Sequence, residues 1–106
     1  MKIINRIKKS DDFLVTIKKG HAYRNSQYTV HVAETSRGYI RVGLSVSSKL
    51  GNAVVRNRIK RQVRAMCDSL IDYTKGSKDI VIVVRKPFLD GEFNDNKSFL
   101  NDLLSA

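Results

Sequence analysis

The residues with the clearest capacity for chemistry lie between positions 56 and 64, where five of nine side chains are cationic. Four of the five are arginine, whose planar guanidinium binds two phosphate oxygens at once and also stacks on nucleobases. Asn57 lies among them and can both donate to and accept from the edge of a nucleotide. These residue types indicate binding to a polyanion. The five cations are Arg56, Arg58, Lys60, Arg61 and Arg64.

A long amphipathic helix is predicted to position these cations. Apolar residues recur at steps of three and four, which predicts a helix over residues 52–72 with one side against a core. At about 100° per residue, Asn57, Arg61 and Arg64 project away from that core, whereas Arg56 lies nearer its boundary. The apolar stripe consists of Val55, Ile59, Val63, Met66 and Leu70.

The distribution of charge supports the same interpretation. The 106-residue chain has 20 basic and 10 acidic side chains, a formal net charge of +10. Residues 1–34 have a net charge of +4, residues 35–67 of +8 and residues 68–106 of −2, and residues 35–67 include no acid. A solvated helix face that binds nothing normally has acids three or four positions from its cations. Their absence favours nucleic acid as the partner, and an anionic membrane is the weaker alternative because the helix's apolar side is committed to a core.

Composition restricts the class of protein further. The length predicts a single domain over residues 1–106, and the hydrophobic content of 42% is sufficient for a core. The longest apolar run, residues 80–84, is too short to cross a bilayer, and the first residues lack the apolar stretch of a secretory signal. Cys67 is the only cysteine, which fits a reducing compartment. We therefore expect a cytoplasmic protein.

The side chains offer no evident catalytic set. His21 and His31 are the only histidines and no pair of cysteines is present, so a zinc site has no support. Asp11 and Asp12 are typical of a helix start, and the acids at 90–95 of a turn. Neither group has the clustered carboxylates of a two-metal nuclease. We expect no catalytic residue and no metal site in the polypeptide.

Periodicity predicts the elements that precede the basic helix. Residues 11–19 are predicted to form a helix that Ser10 caps and Gly20 ends. Alternating residues predict strands over 28–34 and 39–46, and the short turn between them predicts an antiparallel hairpin.

The elements that follow complete an α+β sandwich of one sheet and a few helices. Residues 80–84 are apolar on both faces and predict a buried strand, and residues 95–105 predict a last amphipathic helix. The hairpin has an apolar, core-like face and a polar face of mostly small residues that no helix is predicted to cover. The apolar face carries Val30, Val32, Ile40, Val42, Leu44 and Val46, and the polar face carries Thr29, His31, Arg41, Gly43 and Ser45.

Residues 49–61, Lys-Leu-Gly-Asn-Ala-Val-Val-Arg-Asn-Arg-Ile-Lys-Arg, closely resemble the signature of the bacterial ribonuclease P protein subunit. The similarity covers nearly the whole chain and includes residues 6–9, 41–46 and 85–87. It implies a two-layer sandwich with the order α-β-β-β-α-β-α, a short strand near residues 21–23, and a left-handed βαβ crossover (ribosomal protein S5 domain 2-like).

The resemblance also implies a function. The protein joins a catalytic RNA that uses Mg²⁺ to remove the 5′ leader from precursor tRNA, so the polypeptide alone is not expected to be catalytic. No membrane and no further protein partner is required. The residues implied for the catalytic RNA are Lys49, Asn52, Arg56, Asn57, Arg58, Lys60, Arg61 and Arg64.

A second set of residues is implied for the precursor leader: Phe13, Ile17, His31, Arg41 and Ser45. Phe13 matches an aromatic of the family, but Ile17 and His31 stand where aromatic side chains are common. A place in the core is the alternative for both Phe13 and Ile17, and it is the favoured one for Ile17, which cannot stack on a base. His31 retains a ring that could stack or donate to single-stranded RNA, and a strand residue without RNA contact is its alternative.

Two other functions remain open on the sequence. One is a stand-alone RNA- or DNA-binding module such as a ribosomal protein, although a hairpin before the basic helix differs from a helix-turn-helix. The other is a protein-only nuclease, which the missing carboxylate and histidine clusters disfavour.

Overall fold

The computed structural model describes residues 1–106 and contains one four-stranded sheet with three α-helices. Their order, α-β-β-β-α-β-α, is the predicted one and includes the short first strand that the family resemblance implies. None of the helices combines the length and the apolar character needed to span a membrane. The elements are α1 (Ser10–Lys19), β1 (His21–Arg24), β2 (Tyr28–Glu34), β3 (Ile40–Ser45), α2 (Ala53–Leu70), β4 (Lys78–Val84) and α3 (Phe93–Leu104).

The strand order is β1-β2-β4-β3, so the predicted hairpin between residues 28–34 and 39–46 is wrong. β4 lies between those strands, antiparallel to β2 and parallel to β3. The turn after β2 passes over the start of β4, where the Ser77 hydroxyl donates to the Thr35 carbonyl (2.7 Å) and accepts from the Gly38 N–H (2.9 Å). β4 takes the central position because its residues are apolar on both faces and an edge would leave them in water.

The apolar core lies between one face of the sheet and the helices α2 and α3. Ile59, Val63 and Met66 of α2 are buried, as the apolar stripe predicts. The Tyr28 hydroxyl on β2 donates to the Asn96 carbonyl (2.9 Å) and anchors α3, which begins two residues before the predicted start. The apolar side of α2 is therefore fixed against the core, and its opposite side is free for a ligand.

The helix α1 lies on the opposite face of the sheet, where no helix was predicted. Ser10 is its first residue rather than its cap, because the Lys9 carbonyl already accepts from the N–H groups of Asp12 (3.1 Å) and Phe13 (3.3 Å). Gly20 ends the helix as predicted, with its N–H donating to the Thr16 carbonyl (2.9 Å).

This opposite face, hereafter the open face, consists of three rows of side-by-side residues. Arg41 and Asp79 form the first row with Ala33; His31, Val81 and Gly43 form the second; Thr29, Val83 and Ser45 form the third. Val81 and Gly43 are buried under α1 and the segment before it, whereas the third row is half-buried. The polar face is thus covered at one end and accessible at the other.

Candidate nucleic-acid interface

The cations of α2 and the loop before it have no acidic partner. Of the eight basic residues between 35 and 67, only Arg37 and Arg41 form ion pairs with carboxylates. The other six form none, so their mutual repulsion is unrelieved within the chain. We call these six the α2 cations: Lys49, Arg56, Arg58, Lys60, Arg61 and Arg64.

The exposure of the α2 cations follows their angular position on the helix. Arg58 and Arg61 are exposed together with Asn57, while Arg56, Lys60 and Arg64 are half-buried at the margins of the apolar stripe. The Nε of Arg56 is buried and has no hydrogen-bond partner. A buried donor left unpaired costs about 1–3 kcal/mol, which the Arg56 side chain can recover only by moving to a new partner.

The loop before α2 holds the two remaining residues that the resemblance assigns to the catalytic RNA. Lys49 is exposed in a short 3₁₀ turn (Ser48–Leu50). The side-chain carbonyl of Asn52 accepts from the Val55 N–H (3.0 Å), so Asn52 caps the helix. Asn52 therefore has a structural role, and its exposed position leaves its amide nitrogen available.

The segment before α1 adds two cations that sequence reasoning assigned to no site. Arg6 forms an isolated parallel β-bridge with Val42, and the Ile7 N–H donates to the Val42 carbonyl (3.0 Å). This segment therefore runs along the free edge of β3. Arg6 and Lys8 consequently face α2 across a groove of about 270 Å³, which Lys60 and Arg64 also line. The sequence shows a basic run at residues 6–9, but its proximity to α2 depends on this edge pairing.

Phe13 connects the groove to the open face. Its ring lies directly over Gly43, where a Cβ would stand 2.6 Å from the Phe13 Cζ. Phe13 is half-buried and also lines the groove with Arg6 and Lys8. The structure therefore brings the Phe13 ring and the nearby cations Arg6 and Lys8 together with Lys60 and Arg64 of α2, which lie more than 40 positions later in the sequence.

Of the other residues implied for the leader, Ile17 and His31 differ in their surroundings. Ile17 is 39% exposed on α1, so the alternative of a core position is wrong. His31 is half-buried in the middle row of the open face, and its Nδ1 is buried without a partner. Burial, and secondarily the charge of Arg24, lowers the pKa of His31 below its ordinary value. The ring is therefore neutral near pH 7 and can stack or accept a hydrogen bond.

Arg41 and Ser45 occupy opposite ends of the open face, Arg41 at the covered end and Ser45 at the accessible end. Ser45 is half-buried in the third row and forms no side-chain hydrogen bond within the chain. Arg41 is only 12% exposed, and its guanidinium makes a two-pronged contact with Asp79: Nε to Oδ1 at 3.0 Å and Nη2 to Oδ2 at 2.7 Å. The Asp79 contact raises the pKa of Arg41. Arg41 is thus held by the protein, whereas Ser45 is available.

The structure has no group of three His, Cys, Asp or Glu side chains that could hold a metal ion. Cys67 is buried, and burial raises the pKa of its thiol to about 12. The arrangement can bind a phosphodiester backbone along α2 and the groove, and unpaired bases over Phe13 and His31.

The chain is similar to known proteins in both sequence and fold. The family model described as Ribonuclease P matches residues 1–106. The ribonuclease P protein component of Bacillus cereus (strain 03BB102) is 44% identical over 101 residues, covering 94% of this chain and 88% of the relative. That of Mesoplasma florum is 41% identical over 99 residues, covering 92% and 90%.

Two solved structures are similar in both fold and sequence. The RNase P protein of Staphylococcus aureus superposes with a TM-score of 0.84 at 38% identity, covering 95% of this chain and 93% of that one. The RNase P protein of Thermotoga maritima superposes with a TM-score of 0.81 at 30% identity, covering 93% and 94%.

Proposed function

Because this chain belongs to the ribonuclease P protein family, we propose that it acts as the protein subunit of ribonuclease P in removing the 5′ leader from precursor tRNA. The activity is that of an endoribonuclease working as a ribonucleoprotein. The observation that carries the proposal is the set of α2 cations, all six without an acidic partner. Five lie on a helix whose other side is fixed to the core, and Lys49 lies in the loop before it.

The α2 cations bind the catalytic RNA. A rigid helix that presents arginines on one side can follow a phosphodiester backbone, with each guanidinium contacting phosphate oxygens in pairs. Arg58, Arg61 and Asn57 are exposed and make the outer contacts, and the half-buried Arg56 turns outward to give its unpaired Nε a partner. Lys49 and the free amide of Asn52 extend the contact into the loop before the helix.

The open face binds the leader, which is single-stranded and has unpaired bases to offer. Phe13 and His31 supply the two rings on this side, and Ser45 supplies a hydroxyl in the accessible row. Ile17 is exposed one turn after Phe13 and adds apolar contact without stacking. The groove with Arg6 and Lys8 gives the backbone of the leader a basic path between the two regions.

The hydrolytic chemistry belongs to the RNA subunit in this proposal. Mg²⁺ is bound in proteins through oxygen ligands and commonly through phosphates, which RNA supplies in quantity. The carboxylates on the open face, Asp12 and Asp79, both contact guanidinium nitrogens and do not fit as magnesium ligands. The polypeptide binds and orients the two RNAs, and we place it in the cytoplasm, where bacterial precursor tRNA is made.

Reconstitution tests this function. The protein is mixed with the catalytic RNA of its own cell and precursor tRNA at low Mg²⁺, and release of the leader is followed. We expect cleavage at the mature 5′ end that is faster with protein and RNA together than with RNA alone, and no cleavage with protein alone. Cleavage by the protein alone, or a rate that the protein does not change, contradicts the proposal and favours a nuclease or a stand-alone RNA-binding module respectively.

A further inference from the structure

We propose that Arg41 is a positioning residue for the leader-binding face: it ties the first turn of α1 to the sheet and thereby fixes the Phe13 ring over Gly43. This inference rests on the proposed function, because it concerns how the open face binds the leader. It replaces a direct contact between Arg41 and the leader, which the sequence resemblance implies, with an indirect role through Asp12 and Asp79.

The first support is the state of Asp79. This carboxylate is 5% exposed on the central strand β4 and accepts from both Arg41 and Arg37, the latter through Nη1 to Oδ2 at 2.9 Å. A buried carboxylate is costly unless it is paired and hydrogen-bonded, so these arginines satisfy a charge that the fold has already buried. Arg41 is consequently not free to leave Asp79 for a phosphate.

The second support is the remaining nitrogen of Arg41. Its Nη1 lies 3.5 Å from the Oδ2 of Asp12 in the first turn of α1. With Nε and Nη2 on Asp79, all three guanidinium nitrogens of this 12%-exposed side chain face carboxylates. Arg41 therefore links β3, β4 and α1 at one point.

The third support is the adjacency of this link to the aromatic ring. Asp12 precedes Phe13 on α1, and Gly43 follows Arg41 by two positions on the same face of β3. The contact of Arg41 with Asp12 and the contact of Phe13 with Gly43 are thus neighbouring points at which α1 meets the sheet. Losing the first allows the helix start, and with it the ring, to shift.

For removal of the Asp12 charge, the proposal and simple electrostatics predict opposite effects on binding of the leader. Asp12 is a negative charge beside a surface that binds RNA, so removing its charge should strengthen binding if charge alone mattered. If Asp12 serves to hold α1, the same substitution weakens binding of the leader. Asp11 offers a matched control, since it is an exposed acid in the same helical turn and forms no ion pair.

The experiment measures the affinity of the reconstituted holoenzyme for precursor tRNA and for mature tRNA. The ratio of the first affinity to the second is the gain due to the leader, hereafter the leader gain. For Asp12→Asn we expect this gain to fall about threefold, in line with the loss of a partly exposed ion pair, while Asp11→Asn leaves it unchanged or slightly raised. Arg41→Lys keeps the positive charge but cannot bridge both carboxylates, so the gain should fall with it as well.

A double-substitution cycle separates positioning from general loss of structure. If Arg41 acts through Phe13, adding Asp12→Asn to Phe13→Ala produces no further loss of leader gain. The proposal is overturned if Asp12→Asn lowers the leader gain as much in Phe13→Ala as in the wild type. It is also overturned if Asp12→Asn and Asp11→Asn have the same leader gain, or if Arg41→Lys keeps the leader gain of the wild type. A wild-type holoenzyme that shows no leader gain would instead contradict the proposed function itself.

Discussion

Two glycines on or beside the open face are predicted to respond differently to the same substitution. A Cβ at Gly20 would lie 2.5 Å from the Thr16 carbonyl oxygen and 2.7 Å from that of Val32, and neither backbone can move alone. A Cβ at Gly43 would meet the far end of the Phe13 ring, which can rotate away. We expect Gly20→Ala to lower the free energy of unfolding by about 1–3 kcal/mol, and Gly43→Ala by less.

Urea unfolding of both variants checks this ranking, and leader binding supplies the second measurement. Gly43→Ala should reduce the leader gain because the ring is displaced, although the protein remains folded. The reverse order of stabilities, or a Gly43→Ala variant with full leader gain, would contradict the packing of Phe13 described above.

His31 gives the fold a predictable dependence on pH. Its folded-state pKa is lowered from the ordinary value of 6.5, first by burial and then by Arg24, so the neutral ring is favoured in the folded state. Above pH 6.5 the ring is neutral in both the folded and the unfolded state, so the stability that depends on the neutral ring is fully present. As the pH falls from 6.5 through the lower folded value, the unfolded state takes up the proton first and stability is lost.

We therefore expect the free energy of unfolding to decline more steeply between about pH 7 and pH 5 in the wild type than in His31→Gln. Urea titrations across this range test the difference. Parallel curves for the two proteins would show that His31 is not the group responsible. His21, exposed on β1, provides the matched substitution His21→Gln, which should leave the slope as in the wild type.

At the scale of single residues, sequence reasoning identified the types of side chain correctly but not their partners. Arg37 and Arg41 lie in a segment without acids, and on the sequence they count as uncompensated charge. In the fold, Asp79 from another segment forms ion pairs with both. The pairing joins residues 38 positions apart in sequence for Arg41 and 42 for Arg37, and only the register of β3 with β4 brings them together.

Among the elements, the start of α2 combines a structural and a binding role in Asn52. Removing the cap with Asn52→Ala should lower the free energy of unfolding by about 1 kcal/mol. Asn52→Asp retains the cap and suits the positive end of the helix dipole, so stability is kept, while the added negative charge weakens binding of the catalytic RNA. An Asn52→Ala variant of unchanged stability would contradict the capping role of the Val55 contact.

The exposed ridge of α2 should contribute to binding without contributing to stability. Arg58 and Arg61 form no ion pair within the chain, so Arg58→Ala or Arg61→Ala should change the free energy of unfolding by no more than about 0.5 kcal/mol. Each should weaken binding of the catalytic RNA and reduce the slope of log affinity against log salt by roughly one.

The matched control for the ridge is Lys75→Ala, because Lys75 is an exposed cation that lies beside Asp72, beyond the C-terminal end of α2. We expect its salt slope to equal that of the wild type. Equal slopes for the ridge variants and the wild type would mean that α2 does not contact the RNA backbone.

The elements themselves were largely predictable, and their arrangement was not. The 3.6-residue stripe of α2 and the alternation of β2 each depend on neighbours close in sequence, so their bounds follow within one or two residues. The prediction of a hairpin was wrong because alternation specifies which face of a strand is buried but not which strand lies beside it. The insertion of β4 between β2 and β3 depends on the apolar character of residues remote from both.

For the molecule as a whole, with its net charge of +10, two groups of basic residues in the segment 35–67 have different roles: some pair with acids of the chain and the others have no acidic partner. Arg37 and Arg41 stabilise the fold through Asp79, and the α2 cations remain for RNA. The acids of residues 68–106 leave the last third of the chain slightly negative, so the positive field is concentrated on the side of α2 and the groove. A field of this kind orients the protein on a polyanion before close contacts form.

In the proposed function two faces of one small domain meet two different RNAs, and local radical cleavage from a tethered iron chelate tests this division. Ala65→Cys places the chelate on the exposed side of α2, and Ser45→Cys places it in the accessible row of the open face, while buried Cys67 stays unlabelled. In the assembled holoenzyme with precursor tRNA, we expect cleavage of the catalytic RNA from position 65 and of the leader from position 45. No cleavage of the catalytic RNA from position 65, or no cleavage of the leader from position 45, would show that these two faces do not meet the two RNAs.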